Sequence, residues 1–226
     1  MSGQPQRLAL IARTLAWPAL IGGAALCVAI IVLTSLDVDS SPLARWPGLG
    51  ALALCAGAAF VLDDPASATT DASPTSLAKR RMLRIALTLP LLGGVWAASL
   101  YYATSADGAP LGPDARGALS IQASAMLATT LGASAAALRL MPGETSGWAA
   151  VGIPFALLAC VYYLPQRWAL LATPAEPGWQ AAQQRWVLLL AVGVLALIWA
   201  SRDPAARSRA GGVRAATSLR YWTRLR

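Results

Sequence analysis

The sequence lacks histidine altogether and has a single lysine among its 18 basic residues, against only 10 acidic ones in 226 positions. Without histidine, the commonest general base and the commonest metal ligand are missing. Ser-His-Asp proteolysis and histidine-dependent phosphatase chemistry are therefore excluded. The one lysine, Lys79, stands in SLAKRR, preceded by leucine and alanine, so no GxxxxGK[ST] phosphate loop exists. Any ATP-driven work has to come from another polypeptide. Cysteine is scarce too: Cys27, Cys55 and Cys160 lie in apolar runs without CxxC spacing and read as small apolar side chains. Asp37 and Asp39 in DVDSS have no second acidic cluster to complete a metal site and read as a solvated turn. Neither a catalytic residue nor a metal or cofactor ligand is assigned. An enzyme reading would have only Asp63 and Asp64 to work with.

Charge is also sparse, at 12% of residues, about half the roughly 25% of an ordinary soluble domain. Hydrophobic residues make up 57% and the mean hydropathy is +0.55. The useful unit of length is then the bilayer crossing of about 20 apolar residues. Uncharged runs, three of them extended past Arg45, Arg84 and Arg185, place six such spans at about residues 14–36, 42–62, 82–106, 117–138, 146–166 and 180–201, followed by a basic tail over 202–226. The expected fold is all-α and polytopic. The first run is longer than the 7 to 15 apolar residues of a signal-peptide core, so it is expected to be a retained helix.

Six spans force alternation, and the positive-inside rule sets its sense. With the N-terminus inside, the inner set is Arg7, Arg13, Lys79, Arg80, Arg81, Arg84, Arg139, Arg202, Arg207, Arg209, Arg214, Arg220, Arg224 and Arg226. The outer set is only Arg45, Arg116, Arg167 and Arg185. Both termini are expected in the cytoplasm. Trp46, Tyr101, Tyr102, Tyr162, Tyr163 and Trp186 fall near the outer interface, and Trp148 and Trp199 near the inner one, as aromatic belts do.

Within the fourth span, Ser120, Ser124, Ala128, Gly132 and Ala136 recur every four residues, a small-residue stripe that admits another helix at close range, either within the chain or across a subunit seam. Gln122, Thr129 and Thr130 need polar partners there. Pro90 with Gly93 and Gly94 in span three, and Pro154 in span five, free backbone groups and mark a kink or a hinge. No span carries a charge at its midplane, which disfavours ion coupling.

The longest inner connection reads DDPASATTDASPTSLAKRRMLR. Asp64 before Pro65, and Ser73 before Pro74, are two cap-and-proline helix starts. They predict a short helix over 65–70, including Thr69 and Thr70, and then a helix running from Pro74 into span three. The basic cluster Lys79, Arg80, Arg81 and Arg84 either anchors this end to anionic lipid or braces a docking surface. The connection over 164–185, with Pro174 and Pro177 between Trp168 and Trp179, reads as an outer hairpin or a surface-lying loop. Arginine mixed with aromatics in the tail raises nucleic-acid binding, but on a polytopic protein attachment to headgroups or a cytoplasmic partner is preferred and no nucleic acid is expected.

The six spans, the inner helix between spans two and three and the hairpin before span six resemble the permease subunits of bacterial ABC transporters, the compact export kind. The loop DDPASATTDASPTSLAKRRMLR is similar to small permease-like proteins of actinobacteria, and 17 arginines to one lysine fit a GC-rich genome. The chain departs from the export pattern in the short segment before Thr14. The resemblance implies a multi-pass subunit of the bacterial plasma membrane, a second permease subunit beside it, identical or not, and a separate ATP-binding subunit. That subunit would dock on the loop containing Asp63, Asp64, Pro65, Thr69, Thr70, Ser73 and Pro74, flanked by Arg80, Arg81 and Arg84. An amphipathic or hydrophobic substrate is the further implication. A non-transporting membrane scaffold or assembly factor, working through the basic tail, is the alternative.

Overall fold

The computed structural model describes residues 12–36, 47–63, 77–106, 113–140, 146–163, 170 and 178–202. These form six helices, and no strand occurs among the described residues: α1 Trp17–Leu36, α2 Pro47–Ala58, α3 Leu77–Ala106, α4 Pro113–Leu140, α5 Ser146–Tyr163 and α6 Trp179–Ser201. Proline at the first position opens α2 and α4, where its missing N–H costs nothing. Asp114 in the first turn of α4 and Arg139 in its last turn complement the helix dipole. Pro90 and Pro154 sit inside continuous helices.

Among the described residues three helices, over Ala78–Tyr102, Asp114–Leu140 and Trp179–Ser201, are long and apolar enough to cross a bilayer. Trp17–Leu33 and Pro47–Ala58 are apolar but shorter. The expected second span over 42–62 is thus only partly helical: α2 covers 12 residues and the chain turns from Ala59 to Leu62. Residues 42–46 lie outside the described ones. At about 1.5 Å per residue α2 measures roughly 18 Å, short of a hydrocarbon core of about 30 Å.

α2 is the centre of the bundle. Ten of its 12 residues are buried, because α1, α3, α4 and α5 all pack against it. Its sequence, PGLGALALCAGA, is dominated by small side chains, which lets those neighbours come close. A Cβ placed on Gly57 would stand 2.6 Å from the Ala19 carbonyl oxygen, and one on Gly23 would stand 2.9 Å from the Gly57 Cα. Gly50, one heptad before Gly57 and so on the same face, receives Cys27 and Ile31 of α1.

A second close pair joins α4 to α6. A Cβ on Gly193 would stand 2.5 Å from the Ala128 carbonyl carbon, and one on Gly132 would stand 2.7 Å from the Gly193 carbonyl oxygen. Two apolar clusters fill the interior. One joins Leu20, Cys27 and Ile31 of α1 with Leu54, Leu92 and Leu131; the other joins Leu52, Cys55, Met126 and Trp186.

Paired contacts fix the helix directions. Gly23 meets Gly57 while Cys27 meets Gly50, so α1 and α2 are antiparallel. Thr14 lies by Arg84 and Cys27 by Ser99, so α1 and α3 run parallel. Gly132 faces Gly193 and Arg139 faces Trp199, so α4 and α6 run parallel too. Phe60, just past α2, meets Trp148 at the start of α5, ring edge to ring face at 5.5 Å. The starts of α1, α3 and α5 and the ends of α2, α4 and α6 therefore gather at one end of the bundle.

Candidate functional site

That end is built by arginines. A helix leaves its last four carbonyls without intrahelical donors, and at the end of α6 side chains from neighbouring helices supply two of them, at Trp199 and Ala200. Arg84 of α3 donates through Nη1 to the Asp63 carbonyl at 2.6 Å and through Nη2 to Thr14 Oγ1 at 3.1 Å. Arg81, one turn earlier, donates to the Ala200 carbonyl at 2.7 Å. Arg139 of α4 donates to the Trp199 carbonyl, and at 3.4 Å to that of Arg202, while its guanidinium lies 4.5 Å from the centre of the Trp199 ring. Cation–π stacking and the negative end of the α6 dipole both favour that placement. Arg81 and Arg84 are only 8% and 5% exposed, so these two point into the protein rather than toward headgroups.

The same end holds the chain on both sides of the 64–76 connection. Past α2, Ala59 and Val61 are fully buried, the Ala59 carbonyl accepts from Ser134 Oγ at 3.0 Å, and the Asp63 carbonyl is taken by Arg84. Beyond the connection, α3 starts with the turn that carries those arginines. Of the residues expected to couple to an ATPase, Asp63, Arg80, Arg81 and Arg84 are placed here. Asp64, Pro65, Thr69, Thr70, Ser73 and Pro74 lie outside the described residues, as does the tail from 203 onward.

The small-residue stripe of α4 is divided among several tasks. Ala128 and Gly132 meet Gly193 of α6. Ser120 Oγ donates to the Arg116 carbonyl at 2.9 Å, Ser124 is exposed, and Ala136 is half-buried. Thr129 and Thr130 satisfy themselves on the Ala125 and Met126 carbonyls, both at 2.8 Å. Gln122 is 4% exposed, and its Nε2 has no hydrogen-bond partner among the described residues. Trp186, read as an interfacial aromatic, is instead 1% exposed in the second apolar cluster and donates to the Leu170 carbonyl at 2.8 Å. Leu170 of the 164–185 connection is thereby folded onto the bundle.

Sequence reasoning missed the Gly23–Gly57 and Gly132–Gly193 contacts; the heptad spacing of Gly50 and Gly57 was the available signal. No group of three or more His, Cys, Asp or Glu suited to a metal occurs among the described residues. No protein-family model, curated protein or solved structure matches this chain.

Proposed function

We propose that this chain is a six-span subunit of the bacterial plasma membrane with both termini in the cytoplasm, and that it is the permease subunit of an ATP-driven transporter whose ATPase is a separate polypeptide. The alternating helix directions and the gathering of Arg81, Arg84 and Arg139 at one end support a cytoplasmic assignment for that end. The exposed faces support a bilayer: Leu188, Val192 and Leu195 along α6, Ile21 and Leu33 of α1 and Phe155 of α5 are all well exposed. A water-soluble bundle rarely shows so much contiguous apolar surface. The non-helical turn 59–62 is compatible with membrane depth because it is enclosed by protein, where Ser134 serves its backbone.

One observation carries the coupling reading. Arg84 ties the last described residue before the 64–76 connection to α3 and to Thr14 at the start of α1. A push on that connection therefore reaches three helices at once. Affinity purification from the native membrane tests the reading: an ATP-hydrolysing protein co-purifies with the chain, and its absence would end the proposal.

The scaffold reading draws on a different contact. Arg81 and Arg139 hold the end of α6 from which the basic tail departs. Deleting residues 204–226 and, separately, replacing Asp64 and Pro65 separates the two. A scaffold loses function only with the tail, a transport subunit with the loop change.

A further inference from the structure

α3 and α4 are consecutive in the chain, yet a cavity of about 140 Å³ lies between them. Leu89, Gly93 and Trp96 form one wall, Ala123, Ser124 and Leu127 the other, and Cys55 of α2 lies at the floor. Leu89, Gly93 and Ser124 are exposed, so the cavity opens sideways on the flank of the bundle. Gly93 is nine residues along α3 from Arg84, about 13 Å from the arginine-built end. That depth is close to the middle of a hydrocarbon core of about 30 Å. From the preceding section, this inference takes only that the bundle lies in a bilayer.

Three properties define the guest. Among the described residues the lining carries no ionisable group other than the Cys55 thiol, so a charged molecule would lose its solvation without compensation. The volume is close to the ~150 Å³ of apolar cavities that admit benzene. Two polar groups border the cavity: the Ser124 hydroxyl at the opening and the Trp96 indole N–H, buried without a partner among the described residues. Ser120, Thr129 and Thr130 on the same helix each bond to a carbonyl four residues back, whereas Ser124 makes no hydrogen bond to a described residue. With no water at that depth, a hydroxyl on a lateral opening pairs best with a polar group on the guest.

We infer that the cleft between α3 and α4 binds a small neutral molecule drawn from the bilayer, about one six-membered ring in size, with a hydroxyl or carbonyl that pairs with Ser124. Gly93 makes the site testable, since it lines the cleft and a Cβ there meets nothing within 4 Å, so a leucine is expected to occupy the cleft.

The experiment is photolabelling of the full chain in phospholipid vesicles with a diazirine-bearing benzyl alcohol, and mapping of the adducts by mass spectrometry. Saturable adducts are expected on residues 89–96 and 123–127, displaced by benzyl alcohol. Gly93→Leu abolishes them while labelling of the outer face of α6 at Leu188, Val192 and Leu195 persists. Ser124→Ala, which leaves the cavity open, weakens displacement by benzyl alcohol roughly threefold to tenfold, one hydrogen bond's worth, and leaves displacement by toluene unchanged. Adducts on α6 without saturable adducts at the cleft overturn the site and leave the bilayer reading standing. Labelling of neither overturns both. Cleft labelling that is indifferent to Gly93→Leu and Ser124→Ala also overturns the site.

Discussion

Arg84 Nη1 donates to the backbone carbonyl of Asp63 across 2.6 Å, so a side chain on α3 closes the end of the α2 segment. The contact spans 21 residues of sequence and brackets the whole 64–76 connection. It explains why a guanidinium is required: a single planar group reaches the Asp63 carbonyl and the Thr14 hydroxyl together, which an ammonium on a flexible stem does less well.

Replacing Arg84 by alanine is therefore expected to destabilise the bundle by roughly 1–3 kcal/mol, because a part-buried carbonyl loses its charged donor. Arg84→Lys recovers part of the loss. Thermal unfolding in mild detergent reads both, and equal melting temperatures for the wild type and Arg84→Ala would show that the contact contributes nothing.

Gly57→Leu is expected to be more damaging. A side chain there starts 2.6 Å from the Ala19 carbonyl oxygen, so α1 and α2 have to separate. Overpacking of this kind costs about 1–3 kcal/mol and occasionally more. Gly22→Leu, one position from Gly23 in the close pair but with open space around its Cβ, is the control and is expected to be nearly silent. Limited proteolysis or unfolding in detergent distinguishes the two variants.

Gln122 gives a prediction of opposite sign. Its buried Nε2 has no partner among the described residues, so Gln122→Leu, which removes an unsatisfied donor at similar volume, is expected to raise stability by about 1 kcal/mol. A fall in melting temperature would show that the amide is paired in the folded protein.

Arg139→Ala should loosen the end of α6 specifically. The Trp199 carbonyl keeps only the Arg202 N–H, the Arg202 carbonyl loses the Arg139 guanidinium and the Trp199 ring loses its cation, while the Gly132–Gly193 contact deeper in the bundle is untouched. Hydrogen exchange over residues 197–202 is expected to speed up, with residues 189–194 unchanged. Uniform acceleration along α6 would contradict a local role.

Much of the helical frame was legible in the sequence because uncharged runs are local signals, while the two helix starts read at Pro65 and Pro74 lie outside the described residues. The helix limits over 77–106, 113–140 and 179–201 lie close to the runs that predicted them, with α3 and α4 each extending a turn or more further at their starts. Two things were less accessible. Arg81 and Arg84 were open to a lipid-anchor reading, since composition says nothing of direction; both turn inward, Arg81 to the Ala200 carbonyl at the end of α6 and Arg84 to the Asp63 carbonyl past the end of α2. Gly23 and Gly57 were invisible as a pair, because their contact depends on a crossing of α1 and α2 that neither helix encodes alone. The stripe of α4 was visible as a pattern, but its periodicity did not say that Ala128 and Gly132 face Gly193 while Ser124 borders a cavity.

Coupling to an ATPase is tested most directly by placing a photocrosslinking amino acid at Ala68, in the 64–76 connection, and irradiating intact cells. A specific adduct with an ATP-hydrolysing protein is expected, which Asp64→Ala combined with Pro65→Ala abolishes. An adduct only with lipid, or only with a protein lacking nucleotide-hydrolysing activity, would contradict that coupling.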